Sequence, residues 1–424
     1  MPESAPRLIA HLDMDAFYAS VELLRYPELR GQALVIGGGR NNSPVLREDG
    51  TRSFARLRDY TGRGVITTST YEARAFGVHS AMGMMKAARL APDAVLLPVD
   101  FDEYRRFSNR FKAAVRALTP VVEDRGIDEI YIDLGDVPGA RVDGGRAIGA
   151  ALKDAVREAT GLSCSVGIAP NKMLAKLCSE FDKPDGLTIL TRAEIADRVW
   201  PLPARKLNGI GPKATQKLAA LELHTIGDVA AADPALLRER FGNSYGTWLH
   251  EASHGVDSRP VVTYREPKSI SRETTFERDL HAVRDRAELG EIFTALCEKL
   301  AADLARNGYT SRTIGVKLRF DDFRIVTRDR TLQAPTADAR AIRRAAGESL
   351  KRVDLSRRLR LLGVRAAALV RCVEGRAPPS SDVHRSLPVS AVGALVAQEP
   401  LASQDPPTGS LPLFDRERAI PDPR

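Results

Sequence analysis

Apolar and polar positions alternate over residues 7–15, and short β-branched or aromatic runs recur at 33–36, 64–68, 128–134 and 163–168, which predicts strands. Helical spacing takes over at 18–29, around 81–90, at 102–118 and at 143–159. Strands and helices interleave without a repeated strand–helix–strand period, so the pattern predicts an α+β sheet domain carrying inserts. Residues 40–63 have little periodicity and read as a long polar loop after Gly37-Gly38-Gly39. From about Thr191 the pattern shifts to short helices punctuated by glycine, with Asn208-Gly-Ile-Gly-Pro-Lys213 between two of them and a second helical run over 226–240. A proline-containing basic stretch at 258–268 reads as a linker. Beyond it, a helix at 284–307, strands at 313–320 and 324–332, a helix at 337–353 and a strand at 358–369 predict a second compact α+β module. Residues from Val373 on are rich in Pro, Ser and Asp, a composition that predicts disorder.

Length and charge narrow the class. A chain of 424 residues exceeds one ordinary core, so several domains are expected. No apolar run is long enough to span a bilayer, and residues 1–7 lack the apolar core of a signal peptide. Cys164, Cys178, Cys297 and Cys372 are scattered without a CxxC pair, which argues against a zinc site and for a reducing cytoplasm. The formal net charge of +8 favours a polyanionic partner. Residues 265–372 carry 24 Lys and Arg against 15 Asp and Glu, a balance that suits a domain tracking phosphates as well as a merely well-solvated surface.

Two acidic strings carry the chemistry. Leu8-Ile-Ala-His-Leu-Asp-Met-Asp-Ala-Phe-Tyr18 and Gly126-Ile-Asp-Glu-Ile-Tyr-Ile-Asp-Leu134 both set carboxylates at the edge of an apolar run, where burying charge is costly unless a cation compensates it. Asp128 and Glu129 would point to opposite faces of an ideal strand, but at a strand end or a turn near Gly126 they can converge. With Asp13 alongside, three carboxylates could hold two divalent ions about 3.5–4 Å apart, the device used for in-line phosphoryl displacement. Surface acids at strand ends are the competing reading. Thr67-Thr-Ser-Thr-Tyr-Glu-Ala-Arg74 offers hydroxyls, a phenol and a guanidinium suited to a triphosphate. Lys172, opening a helix after Gly167-Ile-Ala-Pro-Asn171, could reach phosphates, and Lys176 follows one turn later. The glycines of 208–213 suit either backbone contact with a phosphate or an ordinary turn between helices. Ser410-Leu-Pro-Leu-Phe414 is an apolar cluster in a polar tail, the form of a short docking peptide.

Taken in order, Asp13-Met-Asp-Ala-Phe-Tyr-Ala-Ser-Val-Glu22, Tyr71-Glu-Ala-Arg-Ala-Phe-Gly77, Asp128-Glu-Ile-Tyr-Ile-Asp133, Gly167–Lys172 and Gly209-Ile-Gly211 resemble the Y-family translesion DNA polymerases, most nearly their bacterial members. The resemblance covers residues 7–372. It implies a right-hand polymerase: palm at 1–15 and 100–180, fingers at 16–99, a thumb with a helix-hairpin-helix at 181–257, a linker at 258–265, an α+β little finger at 266–372 and a disordered tail at 373–424. It implies template-directed addition of dNTPs to a primer 3′ end with two Mg²⁺ ions, low fidelity and lesion tolerance. Asp13, Asp128 and Glu129 take the catalytic and metal positions, joined by the Met14 backbone carbonyl. Tyr18 takes the steric-gate position against a ribose 2′-OH. Phe17, Thr68, Tyr71, Arg74 and Lys172 match dNTP positions, and Gly209, Gly211, Lys213, Lys317 and Arg319 fall where DNA is held. Leu411, Leu413 and Phe414 resemble a sliding-clamp peptide, although Ser410 stands where Gln is usual. Primer-template DNA, dNTPs and the clamp are the implied partners of a monomer without a membrane role.

Two departures and two rivals accompany that likeness. Residues 40–63, with Arg40, Arg47, Arg52, Arg56, Arg58 and Arg63, are extra to the family, and their place in the fingers suggests a position near the nascent base pair or template, against the reading of a tolerated surface loop. A catalytically inactive DNA-bound adaptor and a palm-fold nucleotidyl cyclase are the alternatives. The intact carboxylates weigh against the first, the hairpin and the basic module against the second.

Overall fold

The computed structural model describes residues 7–39 and 42–372. The tail peptide with Leu411, Leu413 and Phe414 lies outside the described residues, as does Arg40. No described helix is long and apolar enough to cross a membrane. The chain divides into two compact units, Met1–Arg265 and Glu266–Arg424.

The first unit opens with β1 (Ile9–Met14), whose alternation buries Ala10, Leu12 and Met14 in one core and Ile9 in another, so that His11 and Asp13 share the face of Ile9. Helix α1 (Phe17–Arg25) follows a turn at Ala16, where φ is +43°, a left-handed value that costs a residue with a Cβ about 1–2 kcal/mol. Strand β2 (Leu34–Gly37) then leads into the segment expected to be a loop, and here the expectation fails. Residues 40–63 contain a hairpin of β3 (Val45–Leu46) and β4 (Arg52–Ser53), then β5 (Ala55–Arg56) and a 3₁₀ turn at Leu57–Asp59. β6 (Ile66–Ser69), α2 (Tyr71–Ala75), α3 (Met84–Leu90) and β7 (Val95–Leu97) follow, and a four-stranded sheet runs β5-β7-β2-β6. β5 covers the edge of β7 that would otherwise stand open, and Leu57 is wholly buried beside Val35, Ile66 and Leu96. A strand of two residues is too short to show a period, which is why the pattern reads as loop.

Helix α4 (Phe101–Leu118), β8 (Val122–Asp124), β9 (Glu129–Asp133), α5 (Arg146–Thr160), β10 (Cys164–Ala169), α6 (Lys172–Cys178) and β11 (Leu187–Ile189) complete the main sheet, in the order β11-β10-β1-β9-β8. Tyr104, Phe111 and Val115 of α4 and Leu152 and Val156 of α5 pack on one face, against Leu12, Ile130, Val166 and Ile168. Met173 and Leu174 of α6 pack on the other with Ile9 and Tyr131. A Cβ at Gly167 would lie 2.3 Å from both the Ala175 carbonyl oxygen and the Ser179 nitrogen, so only glycine lets α6 lie this close to β10.

Helices α7 (Pro212–Ala219), α8 (Ile226–Ala231), α9 (Pro234–Phe241) and α10 (Asn243–Ser253) close the unit. The single run expected at 226–240 is two helices, because Pro234 has no amide hydrogen to continue α8 and Asp233 caps α9 by accepting from the Ala235 nitrogen at 2.8 Å. In the second unit, β12 (Ser269–Leu280), α11 (Arg286–Arg306), β13 (Tyr309–Phe320), β14 (Ile325–Thr336), α12 (Ala339–Leu350) and β15 (Leu359–Arg371) form an antiparallel sheet in the order β12-β15-β13-β14, with both helices packed on one face.

Candidate active site

The antiparallel register of β1 and β9 sets Asp13 directly opposite Glu129. Asp128 precedes the first residue of β9 and so lies outside its alternation. Its carbonyl oxygen accepts from the Met14 nitrogen at 3.0 Å. The turn leading into it is pinned from below by Lys112, whose buried amine donates to Asp124 Oδ1 at 2.5 Å and to the Gly126 carbonyl at 2.6 Å. Ligand atoms of His11, Asp13 and Glu129 lie within 4.8 Å of one another. Two lysines neutralise the group: Lys183 Nζ lies 2.6 Å from Asp13 Oδ1, and Lys176 pairs with Glu129 Oε2.

The electrostatics follow from that arrangement. Burial pushes the Asp13 carboxyl above its ordinary value, with Lys183 opposing, and burial together with the Glu129 charge pushes Asp128 up. Burial acts the same way on Glu129, but the His11 contact and Lys176 overcome it and hold that carboxyl down at about 2. Burial lowers the Lys183 amine, yet Asp13 and Glu180 raise it well above its usual range. Hard carboxylate oxygens converging at a site where burial disfavours their charge are a donor set that fits a divalent cation.

Tyr18 stacks on Tyr104 with ring centroids 4.4 Å apart and meets Phe101 edge-on, while Phe17 is buried against Phe111. The strained Ala16 turn comes just before both rings, which lie four and five residues beyond Asp13. Thr68 is nearly buried on β6. Arg74 lies 4.7 Å over the Tyr71 ring and donates to the Ser69 carbonyl at 3.2 Å. The Tyr71 hydroxyl is buried without a hydrogen-bond partner, an orphan donor in a region whose charges include Asp15 and Lys183. Asp15 accepts from Ser165 Oγ at 2.8 Å and from the Asp185 nitrogen at 2.8 Å, which ties the turn bearing Lys183 to the start of α1.

Lys172 is expected among the dNTP positions. Its amine is buried on Glu123 at 2.5 Å and lies 4.8 Å over the Tyr131 ring, so it does not face the carboxylates. The lysines that do are Lys176, one helical turn on, and Lys183, which no local sequence pattern marks. Other expected contacts are dispersed. Gly209 has φ +122°, and a Cβ there would strike Trp248 at 2.6 Å, whereas nothing lies within 4 Å of one at Gly211. Lys213 is exposed on α7. In the second unit Lys317 pairs with Glu273 at 2.9 Å, and the buried Arg319 Nε has no hydrogen-bond partner. Both point away from the face that α11 and α12 cover, because the alternate residues Val316, Leu318 and Phe320 occupy it.

Residues 12–180 match the impB/mucB/samB family, residues 267–379 match that family's C-terminal domain, and residues 205–257 match the thumb domain of DNA polymerase-iota. The chain is 39% identical to the DNA polymerase IV of Streptomyces coelicolor over 368 residues, 86% of this chain and 71% of that protein. It is 40% identical to the DNA polymerase IV of Caulobacter vibrioides over 355 residues, 84% of this chain and 82% of the other. The same-named protein of Alkalilimnicola ehrlichii is 38% identical over 86% of this chain and 96% of its own length. The fold matches a chimera titled as a Y-family DNA polymerase, Dbh-Dpo4(243-245)-Dbh, with a TM-score of 0.71 at 24% identity over 86% of this chain and 99% of that one. The mixed α+β fold and these matches agree: the chain belongs to the impB/mucB/samB family, the Y-family DNA polymerases.

Proposed function

We propose that this chain adds dNTPs to a primer 3′ end on a DNA template, in low-fidelity translesion synthesis during DNA damage tolerance. The observation that carries the reading is the pairing of Asp13 with Glu129 across two strands, with Asp128 set just outside them. Asp13, Asp128 and Glu129, with the Met14 carbonyl, would hold divalent metal, and two Mg²⁺ ions suit the hard oxygen donors. When bound, the metals stabilise charge on the attacking 3′-oxygen and on the departing pyrophosphate.

This chain's own residues supply the rest. Lys183 keeps a cation on Asp13, and its flexible stem lets the amine also meet a phosphate oxygen. The orphan Tyr71 hydroxyl, Arg74 and Thr68 offer donors to the triphosphate, and Phe17 packs beneath the sugar side. Tyr18, held flat against Tyr104, screens the sugar 2′ position. Gly209 and Gly211 in the turn before α7, Lys213 in the first turn of α7, and Lys317 and Arg319 on the open sheet face of the second unit, contact the DNA backbone without reading sequence. The domain roles are palm for 1–15 and 100–180, fingers for 16–99, thumb for 181–257, linker for 258–265 and little finger for 266–372. A monomer in the reducing cytoplasm fits the scattered, mostly buried cysteines. The tail 373–424 would offer Leu411, Leu413 and Phe414 to the sliding clamp.

Primer extension tests the reading. The wild type extends a primer with dNTPs and Mg²⁺, and Asp128→Ala abolishes extension while leaving DNA binding. No incorporation by a folded wild type would favour the inactive adaptor instead.

A further inference from the structure

His11 is wholly buried, yet the reaction proposed above gives it no part. It lies on β1 two residues before Asp13, on the same face, with its ring 4.7 Å from that of Tyr131. Its Nδ1 is 2.9 Å from Ser179 Oγ, and its Nε2 is 3.3 Å from Glu129 Oε2 but off the line of a straight hydrogen bond. Buried ring nitrogens rarely go unsatisfied, so a buried nitrogen 3.3 Å from one oxygen of a carboxylate demands a role.

We infer that His11 is a positioning residue for Glu129: Ser179 fixes its tautomer, and its Nε2–H, together with Lys176, claims Oε2 so that Oε1 is the oxygen left for metal. This rests on the polymerase reading of Glu129.

The tautomer follows from one proton. Ser179 Oγ lies 2.9 Å from both His11 Nδ1 and the Lys176 carbonyl and can donate to only one of them. Donation to the carbonyl would put the ring proton on Nδ1 and turn the Nε2 lone pair toward an anionic oxygen. Donation to Nδ1 puts the proton on Nε2, facing Glu129, and a hydrogen bond to an ionised carboxylate is roughly twice as strong as a neutral one. Lys176 alone would not fix the carboxylate plane, since an ammonium on a flexible stem is a point charge. The planar ring, locked between Ser179 and Tyr131, supplies the direction. Partners of this kind behind a metal-holding carboxylate are worth about 10–100-fold in metal affinity or activity.

The test has two arms. In the metal-free protein with ¹⁵N-histidine, NMR should show His11 as the neutral Nε2–H tautomer, and Ser179→Ala should weaken that preference. An Nδ1–H ring in the wild type overturns the inference. In primer extension, His11→Phe should raise the Mg²⁺ concentration for half-maximal rate by about 10-fold or more with the KM for DNA unchanged, and His11→Gln should recover part of the loss. Thermal unfolding of each variant guards against simple misfolding, and Ser179→Ala carries the test if His11→Phe does not fold. Unchanged Mg²⁺ dependence in folded variants overturns the positioning role. Direct nitrogen coupling in the EPR spectrum of bound Mn²⁺ would make His11 a ligand and overturn it as well. Full activity in Glu129→Ala would instead sink the metal-holding role of Glu129 on which the inference stands.

Discussion

Replacing Lys172 by Met separates what the motif suggests from what the packing shows. The Lys172 and Glu123 side chains are 3% and 2% exposed and 2.5 Å apart, so removing the amine strands a buried carboxylate. Such a loss costs about 3–5 kcal/mol. Glu123 keeps the Val262 amide at 2.8 Å and Arg265 at 3.3 Å, which places the cost at the lower end, about 3 kcal/mol. At about 2–4 °C per kcal/mol, unfolding of the first unit should move down by roughly 6–12 °C. The KM for dNTP should stay near the wild-type value, because the amine faces Glu123 and not the carboxylate group. Adding Glu123→Gln to Lys172→Met should return most of the lost stability. Thermal unfolding and single-nucleotide incorporation on one preparation decide the matter. An unchanged Tm with a raised KM for dNTP would place Lys172 at the triphosphate and refute the buried pair; Lys183→Met is the variant expected to raise that KM.

Three further outcomes follow from the same geometry. Tyr18→Ala should admit ribonucleotides in primer extension, and unchanged sugar discrimination would remove the gate role from Tyr18. Leu57→Ala should cost about 2–5 kcal/mol, as for any wholly buried leucine, while Val45→Ser, at a position 64% exposed, should be nearly silent in thermal unfolding; equal effects would return 40–63 to a surface loop. On acidification, burial-raised Asp13 and Asp128 take up protons more readily folded than unfolded, so the metal-free fold gains stability from them as pH falls through their folded values. Glu129 runs the other way, its contribution present above its ordinary value near 4.5 and lost only as pH falls toward about 2. Incorporation should therefore fail on acidification before the fold does, and coincident loss of activity and of the unfolding transition would contradict this.

How much of this was legible depends on whether a residue's partner is local. The carboxylates stand out because acids at the edge of β-branched runs are anomalous within a single strand, and both strings show that anomaly alone. The place of Asp128 outside the strand was also within reach, since Gly126 marks a turn just before β9. The hub residues were not. Lys183 meets Asp13 across 170 positions of chain, and Lys172 meets Glu123 across 49, and no periodicity encodes such pairings. Strand β5 was hidden for a different reason, because its contribution is an edge hydrogen-bonded to β7 and one leucine, neither of which makes a pattern. β12 was missed because most of its side chains stay outside the core: its sequence SISRETTFERDL buries only Ile270, Phe276 and Leu280.

The choice of lysine at both carboxylates also makes physical sense. Asp13, Asp128 and Glu129 bring three negative charges to a largely buried site, and Lys176 and Lys183 bring two positive ones, so without metal the site is close to neutral. An arginine in either place would clamp its carboxylate with two parallel hydrogen bonds in a rigid fork and compete with any cation for the same oxygens. An ammonium holds one oxygen and leaves the other, as Lys183 does on Asp13 Oδ1 and Lys176 on Glu129 Oε2. Its four-carbon stem can then follow the charge as it moves from carboxylate to phosphate. By this argument Lys183→Arg, which keeps the charge, should still impair incorporation, with the loss appearing as a higher Mg²⁺ requirement. Incorporation and Mg²⁺ dependence equal to wild type in Lys183→Arg would show that charge alone matters there.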